Sequence, residues 1–481
     1  MRPIGIIASE SSENEARVIL NQSEEKRVKV EDLVLVDNRN EGKILAVLRK
    51  GRGINENLKA GGYNPGVAYA RAGGPPSTAK ETYDFTLSVI GEVKDGIIQQ
   101  NKKILAPGST VYLFEDRDDP MRYLAGTAHK YTIGYYEGHP NWRVPVNEAF
   151  IPYHIGVFAS TGGGKSYLTR LQLIPLFLNA GFDVLVFDWK GRDYAPYFKK
   201  ENVISISEIA LDPETVVSYL CKKMGNFGYS SQQARGAVRQ ALEDFIYSES
   251  WRGLTVSEFR KVFYTSILQA LNPHNQTSGK ASVKDFEERQ QRFERGYRRL
   301  KDSDIQNILG TLTANDILQL VRERRIIVID MKKTGRDEKL SAFLTIARYL
   351  MDLMQNDEDL NLALVIDEGP QYCPFNPDGI QKETTDMIID LCALGRSHKL
   401  CVCILSQGIA GEIGINAAVR RNLNTQFIGK IHPLDLNEAG NWLSPFNIDP
   451  KFLLSLPPGH FYFMGNMNPS PIPLLITFEV R

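Results

Sequence analysis

The chain carries no surplus of charge: 57 Lys and Arg balance 57 Asp and Glu, for a formal net charge of +0 at pH 7. That excludes a global basic field as the means of attracting nucleic acid. Any such contact has to come from local patches, concentrated by assembly into a ring. Cysteine is scarce, with 5 among 481 residues (Cys221, Cys373, Cys392, Cys401 and Cys403), and no CxxC pair or metal-spaced set occurs. This argues against a disulfide framework or a zinc site and for free thiols in a reducing cytoplasm. Cys401 and Cys403 lie two apart in an apolar run, which places both on one strand face. There is no signal-like leader, and no apolar run approaches the roughly 20 residues of a transmembrane helix. The expectation is a cytoplasmic protein with no membrane partner.

What is present divides the chain by texture. At this length roughly two to four domains are expected. Residues 1–143 lack long helical periodicity and instead show short β-rich runs at Ile4–Ala8, Arg17–Leu20, Asp32–Val36, Lys43–Leu48, Phe85–Val93, Thr110–Leu113 and Tyr131–Tyr136. Turn-rich segments separate them, a rhythm that predicts a small barrel or sandwich. Gly61–Pro76, rich in Gly, Pro and Ala, reads as a long surface loop. From residue 144 the pattern alternates strand and helix, which implies a parallel sheet. A first core segment spans 144–205, a charged helical insertion 206–320, and a second core segment 321–440. Core strands are read at Asp183–Asp188, Arg325–Asp330, Leu362–Asp367 and Leu400–Leu405, with a further candidate at Gln426–Ile431. The remaining 441–481 reads as a C-terminal tail, proline-rich over Leu456–Arg481 and ending in a β-like Leu474–Val480.

The densest chemistry lies in His154–Ser166. Apolar Ile155, Val157 and Phe158 suggest a buried strand, followed by Thr161 and three consecutive glycines (Gly162, Gly163, Gly164), then Lys165, Ser166 and Tyr167 at a helix start. Glycine lets backbone N–H groups curl around phosphate oxygens, and the helix N-terminus adds the positive end of its dipole. The lysine reaches the β/γ-phosphates and the serine hydroxyl ligates Mg²⁺, so ATP and Mg²⁺ are the expected cofactors. Ala159 replaces the usual first glycine of this loop, which requires a negative φ there. A second signal is the apolar run ending in Asp367 and Glu368. It delivers two acids to the carboxyl end of a strand, one for the metal shell and one to orient or deprotonate water. Gln407 follows the strand 400–405 and suits a γ-phosphate sensor or a plain strand-end turn. Arg396 suits either a surface charge or an arginine offered to a neighbouring subunit. Arginines at 289, 292, 295, 298 and 299 read as the stripe of a solvated, salt-bridged helix rather than as a nucleic-acid face.

Together these residues resemble the HerA family of hexameric DNA translocases, within the FtsK-like group of pumping ATPases. The resemblance runs over essentially the whole chain. It rests on Arg143–Asn147 leading into His154, on Phe187–Tyr194 with Trp189 where proline is common, on the acidic pair, and on the block from Gly395 and Arg396 to Ser406 and Gln407. It implies an α/β fold: a RecA-like P-loop ATPase core, an N-terminal barrel of the HerA–ATP-synthase type and a helical insertion. It implies that Lys165 and Ser166 bind phosphate and Mg²⁺, Asp367 supports the metal, Glu368 is the catalytic base, Arg396 acts in trans, Gln407 senses nucleotide and Asp188 lies in the nucleotide pocket. The implied partners are double-stranded DNA, five further copies in a homo-hexamer, and a NurA-type nuclease or another effector. Pore loops are sought at 369–384 and 408–421. Alternatives are a nucleotide-bound ring that scaffolds a nuclease, and a conjugation- or secretion-type ATPase.

Overall fold

A computed structural model describes residues 1–59, 64–75, 81–126, 130–226, 232–271 and 283–479. The chain divides into two compact units: Met1–Ala180 with Leu405–Gly414 and Leu423–Arg481, and Gly181–Ile404 with Ile415–Asn422.

The first unit opens with a closed antiparallel barrel of six strands, in the order Glu15–Leu20, Arg2–Ile7, Thr110–Leu113, Leu33–Asp37, Lys43–Asn55, Glu81–Lys94 and back to Glu15–Leu20. Alternation builds its interior: Val34 and Val36, then Ile44, Ala46 and Leu48, all point inward and are buried, as a period of two requires. Leu33, Leu35, Leu45 and Val47 on the opposite faces are buried too, so these strands read as unbroken apolar runs. The fully buried Arg49 meets the carboxylate of Glu31 and donates to the carbonyl of Pro473 at 2.8 Å. The Tyr462 hydroxyl donates to Glu31 at 2.7 Å.

The Tyr131–Tyr136 run, grouped with the barrel by its place in the sequence, lies elsewhere. It pairs with Leu474–Thr477 and with Arg143–Val146. Leu474–Thr477 in turn pairs with His460–Gly465, a strand the proline-rich tail concealed, and that strand pairs with Thr425–Ile428. Thr425–Ile428 runs parallel to Ile155–Phe158. The Gly61–Pro76 loop holds a short helix, Pro65–Arg71, N-capped by the Asn64 side chain; its residues 61–63 and 76 lie outside the described ones.

The second unit is built on a parallel sheet ordered Val203–Ser205, Ile326–Asp330, Asp183–Asp188, Leu362–Ile366 and Leu400–Ser406. Its central strands are apolar on both faces because helices cover both. The insertion comprises Pro213–Lys223, Gln232–Tyr247, Val256–Leu271, Val283–Tyr297, Asp302–Ile308 and Ala314–Arg324. Phe259, Phe263, Phe293 and Trp251 form its core. Among the described residues, no helix is long and apolar enough to cross a membrane.

Candidate nucleotide site

In the first unit the buried strand Ile155–Phe158 runs into the glycine loop and then into the helix Lys165–Leu168. Gly162 and Gly164 have φ of +78° and +98°, which side chains rarely adopt, and a Cβ on Gly164 would stand 2.8 Å from the backbone nitrogen of Gly459. Nothing lies within 4 Å of a Cβ at Gly162, so the tip of the loop is open. The N–H groups of the first helical turn have no acceptor inside the helix. The Lys165 ammonium folds over its own loop and donates to the carbonyl of Ala159 at 2.5 Å. Ser160 donates its N–H to the carbonyl of Lys430 at 2.6 Å, and the Thr161 hydroxyl donates to Gln407 Oε1 at 2.9 Å. Gln407 is thereby brought to the loop, while Ser166 and Tyr167 sit half-buried on the first helical turn.

Ala159 is absent from the residues of positive φ, the condition its replacement of glycine imposes. Beyond Lys165–Leu168 the helix widens into a π-turn at Thr169–Leu173 before Ile174–Asn179. Pro175 has no N–H to donate back into the preceding turn, and the wider turn accommodates that loss.

In the second unit, strand Asp183–Asp188 ends on a carboxylate that is fully buried. Both Asp188 oxygens accept backbone N–H groups: Oδ1 from Gly191 at 2.9 Å, Oδ2 from Tyr194 and Ala195 at 3.0 Å each. Asp188 therefore shapes the turn 189–195 from within. Gly191, at φ +62°, is required in that turn, because a Cβ there would stand 2.1 Å from Asp330 Oδ1.

Asp367 is buried at the end of strand Leu362–Ile366. One oxygen each of Asp188, Asp193 and Asp367 lie within 4.8 Å of one another. Hard carboxylate oxygens suit Mg²⁺. With the Asp188 oxygens committed to backbone, Asp367 and Asp193 are the members that fit a divalent cation. Glu368 follows in a left-handed conformation, φ 55° and ψ 50°, uncommon for a residue with a side chain and the kind of constraint found at functional sites. Its Oε1 is paired with the ammonium of Lys190. Burial would lower the Lys190 pKa, but the hydrogen bond and charge of Glu368, with Asp367 and Asp193, raise it.

Sequence reading missed Lys339. It lies on helix Arg336–Gln355 and is buried. Its ammonium donates to the carbonyl of Trp189 at 2.6 Å and stands 4.4 Å from that ring's centroid. Burial lowers its pKa, against the charges of Asp188 and Asp330. Trp189 also packs edge-on against the buried Tyr372, ring centroids 5.1 Å apart. The indole in place of proline thus lies between a cation and a second aromatic ring.

Arg396 is set apart from this cluster. It is exposed at the C-terminus of helix Ile380–Gly395, ahead of the amino end of strand Leu400–Ser406. Glu368 lies beyond the carboxyl end of the adjacent parallel strand, in which Leu362 is level with Leu400. At about 3.3 Å per residue, the length of the sheet, roughly 15 Å or more, separates them within one chain.

A buried strand, an open glycine loop and a Lys–Ser pair opening a helix, with a parallel sheet ending in acids, define an α/β P-loop ATPase core of the RecA-like kind. It carries an N-terminal β-barrel and a helical insertion. Residues 131–350 match the family model described as "Helicase HerA, central domain" (DUF87). No curated protein matches the chain in sequence. Similar solved structures include VirB4 of Thermoanaerobacter pseudethanolicus (15% identity, 74% of this chain and 97% of that one, TM-score 0.49). They also include the bacterial conjugative coupling protein TrwBdeltaN70 in its unbound form (14%, 77% and 92%, 0.48). A third is the genome packaging NTPase B204 from Sulfolobus turreted icosahedral virus 2 in complex with AMPPCP (10%, 68% and 100%, 0.33).

Proposed function

We propose that this protein is an ATP-driven double-stranded DNA translocase that works as a homo-hexameric ring coupled to a nuclease or a similar effector. The observation that carries the reading is the HerA central-domain match over residues 131–350, the stretch that contains Gly162–Ser166.

In this reading Thr161–Gly164 and the N–H groups of the first turn around Lys165 and Tyr167 hold the nucleotide phosphates. Lys165 neutralises charge on the β/γ-phosphates, while Ser166 and Asp367 hold Mg²⁺. When bound, Mg²⁺ offsets charge that develops on the phosphoryl oxygens. Glu368 orients the attacking water and takes its proton. Gln407, hydrogen-bonded to Thr161, reports phosphate occupancy, and Asp188 keeps the turn beside the acids in shape. Arg396 stands too far from its own chain's Glu368 to serve it and is offered to a neighbour's site. Duplex DNA is gripped through its phosphates by loops within 369–384 and 408–421, without sequence preference.

The test is steady-state ATP hydrolysis by wild type and Glu368→Gln, with and without linear duplex DNA, on protein of known mass in solution. DNA-stimulated turnover in a ring, abolished by the substitution, is the expected result. Turnover indifferent to DNA in a confirmed ring would reject the motor and leave a nucleotide-bound scaffold for an effector, a role that the balanced charge of the chain also suits.

A further inference from the structure

The ion pair between Lys190 and Glu368 joins two turns that follow neighbouring parallel strands, Asp183–Asp188 and Leu362–Ile366. Neither turn is slack. The three backbone N–H groups on Asp188 fix the one. In the other, the Glu368 carbonyl accepts the N–H of Gln371 at 2.8 Å, within a left-handed turn. The pair is unevenly exposed: 48% of the lysine side chain faces solvent against 14% of the glutamate. The lysine therefore has somewhere to go, and the glutamate is the partner being held.

We propose that Lys190 is a positioning residue that clamps Glu368 in a resting arrangement, and that release of this ion pair sets the rate of turnover when no partner is bound. The inference rests on the reading of Glu368 as the base. The ion pair ties Oε1 of the carboxylate to Lys190 and so holds its orientation; the competent state is the fraction of molecules in which the pair is open and the carboxylate turns to water. An ion pair with one exposed member is weak and screened by solvent. The clamp is therefore a modest bias between two states, and removing it shifts the population by a correspondingly modest factor.

The experiment compares wild type, Lys190→Met, Lys190→Arg and Glu368→Gln without DNA. It measures kcat and KM for ATP and, on nucleotide-free protein, hydrogen exchange of the segment Asp367–Tyr372. Lys190 is half exposed, so methionine replaces its stem without disturbing a core. Lys190→Met is expected to raise kcat about 3- to 10-fold at unchanged KM and to speed exchange of that segment. Lys190→Arg, which keeps the charge, should stay near wild type in both. A Lys190→Met kcat at or below wild type, in protein of wild-type thermal stability, would overturn the clamp, as would unchanged hydrogen exchange. If Glu368→Gln abolishes turnover while Lys190→Met fails to raise it, the clamp alone falls. If Glu368→Gln retains turnover, the reading of the base falls and the clamp falls with it.

Discussion

A Cβ on Gly163 would stand 2.9 Å from the methyl carbon of Ala159, so the two positions share one small volume inside the phosphate loop. Ala159 is buried, and a Cβ at Gly429 would come within 3.1 Å of the same methyl. Glycines on either side make room for the alanine that replaces the usual first loop glycine.

That relationship makes a double substitution informative. Gly163→Ala should overpack the loop, costing about 1–3 kcal/mol and lowering affinity for a fluorescent ATP analogue roughly 10-fold or more. Adding Ala159→Gly should restore part of both losses, a coupling that a double-mutant cycle in thermal unfolding and nucleotide titration measures. Full additivity would show that the obstacle at 163 is instead the Ser160 carbonyl, 3.0 Å from the added carbon.

The phosphate loop and the acidic pair are legible in the sequence because each joins a doubly buried strand to polar residues at one end. Ile155–Phe158 and Leu362–Ile366 are buried throughout, and such strands are unbroken apolar runs. Pairing partners are not legible. Tyr131–Tyr136 sits next to the barrel in sequence, yet its partner Leu474–Thr477 lies at the far end of the chain. His460–Gly465 follows Pro457, Pro458 and Gly459, which gave its aromatic run the appearance of a tail. Lys339 reads as one more charge on a charged helix, and only packing brings its ammonium to the carbonyl of Trp189. Lys190 lies in a stretch whose resemblance to a family motif is visible, but no spacing rule links it to Glu368.

Asp188 offers a way to separate architecture from nucleotide contact. Its carboxylate, fully buried, accepts three backbone N–H groups. Hydrogen bonds to a charged group contribute about 1.5–3 kcal/mol each, and losing one side leaves buried donors unsatisfied. Asp188→Ala should therefore destabilise the fold by about 3 kcal/mol or more, read as a drop in the denaturation midpoint without nucleotide. Asp188→Asn, which keeps one acceptor oxygen, should fall between. A variant that loses ATP binding at unchanged stability would instead make Asp188 a direct nucleotide contact.

Arg396 and Glu368 lie at opposite ends of the parallel sheet, so service in trans has a distinctive consequence. Arg396→Ala alone and Glu368→Gln alone should each lower turnover by about 100-fold or more, with nucleotide affinity little changed. Mixing the two variants and allowing subunits to exchange should recover activity, because some interfaces then pair an intact Glu368 with an intact Arg396. Mixed protein no more active than its components, under conditions where wild-type subunits exchange, would rule out the trans assignment.

The last prediction concerns pH and His460. Its Nε2 pairs with Glu137 Oε2 at 2.8 Å. Burial would lower its pKa, but the hydrogen bond and charge of Glu137 and the carbonyls of Pro458 and Pro457 carry it above the ordinary 6.5. A group whose pKa is raised on folding stabilises fully below its unfolded value and loses that contribution as pH climbs through the folded one. Stability supplied by this pair should accordingly be present below about pH 6.5 and decline above it. The strand that begins at His460 follows Gly459, whose N–H donates to the Gly163 carbonyl at 3.3 Å, so the pair anchors a segment touching the phosphate loop. Thermal midpoints from pH 6 to pH 9 should fall more steeply for wild type than for His460→Gln, which removes the titrating group. Glu137→Gln keeps the imidazole with its burial and the Pro457 and Pro458 carbonyls and loses only the Glu137 contribution, so its profile should also be shallower than wild type. A His460→Gln profile that superimposes on wild type would show that the pair contributes no pH-dependent stability.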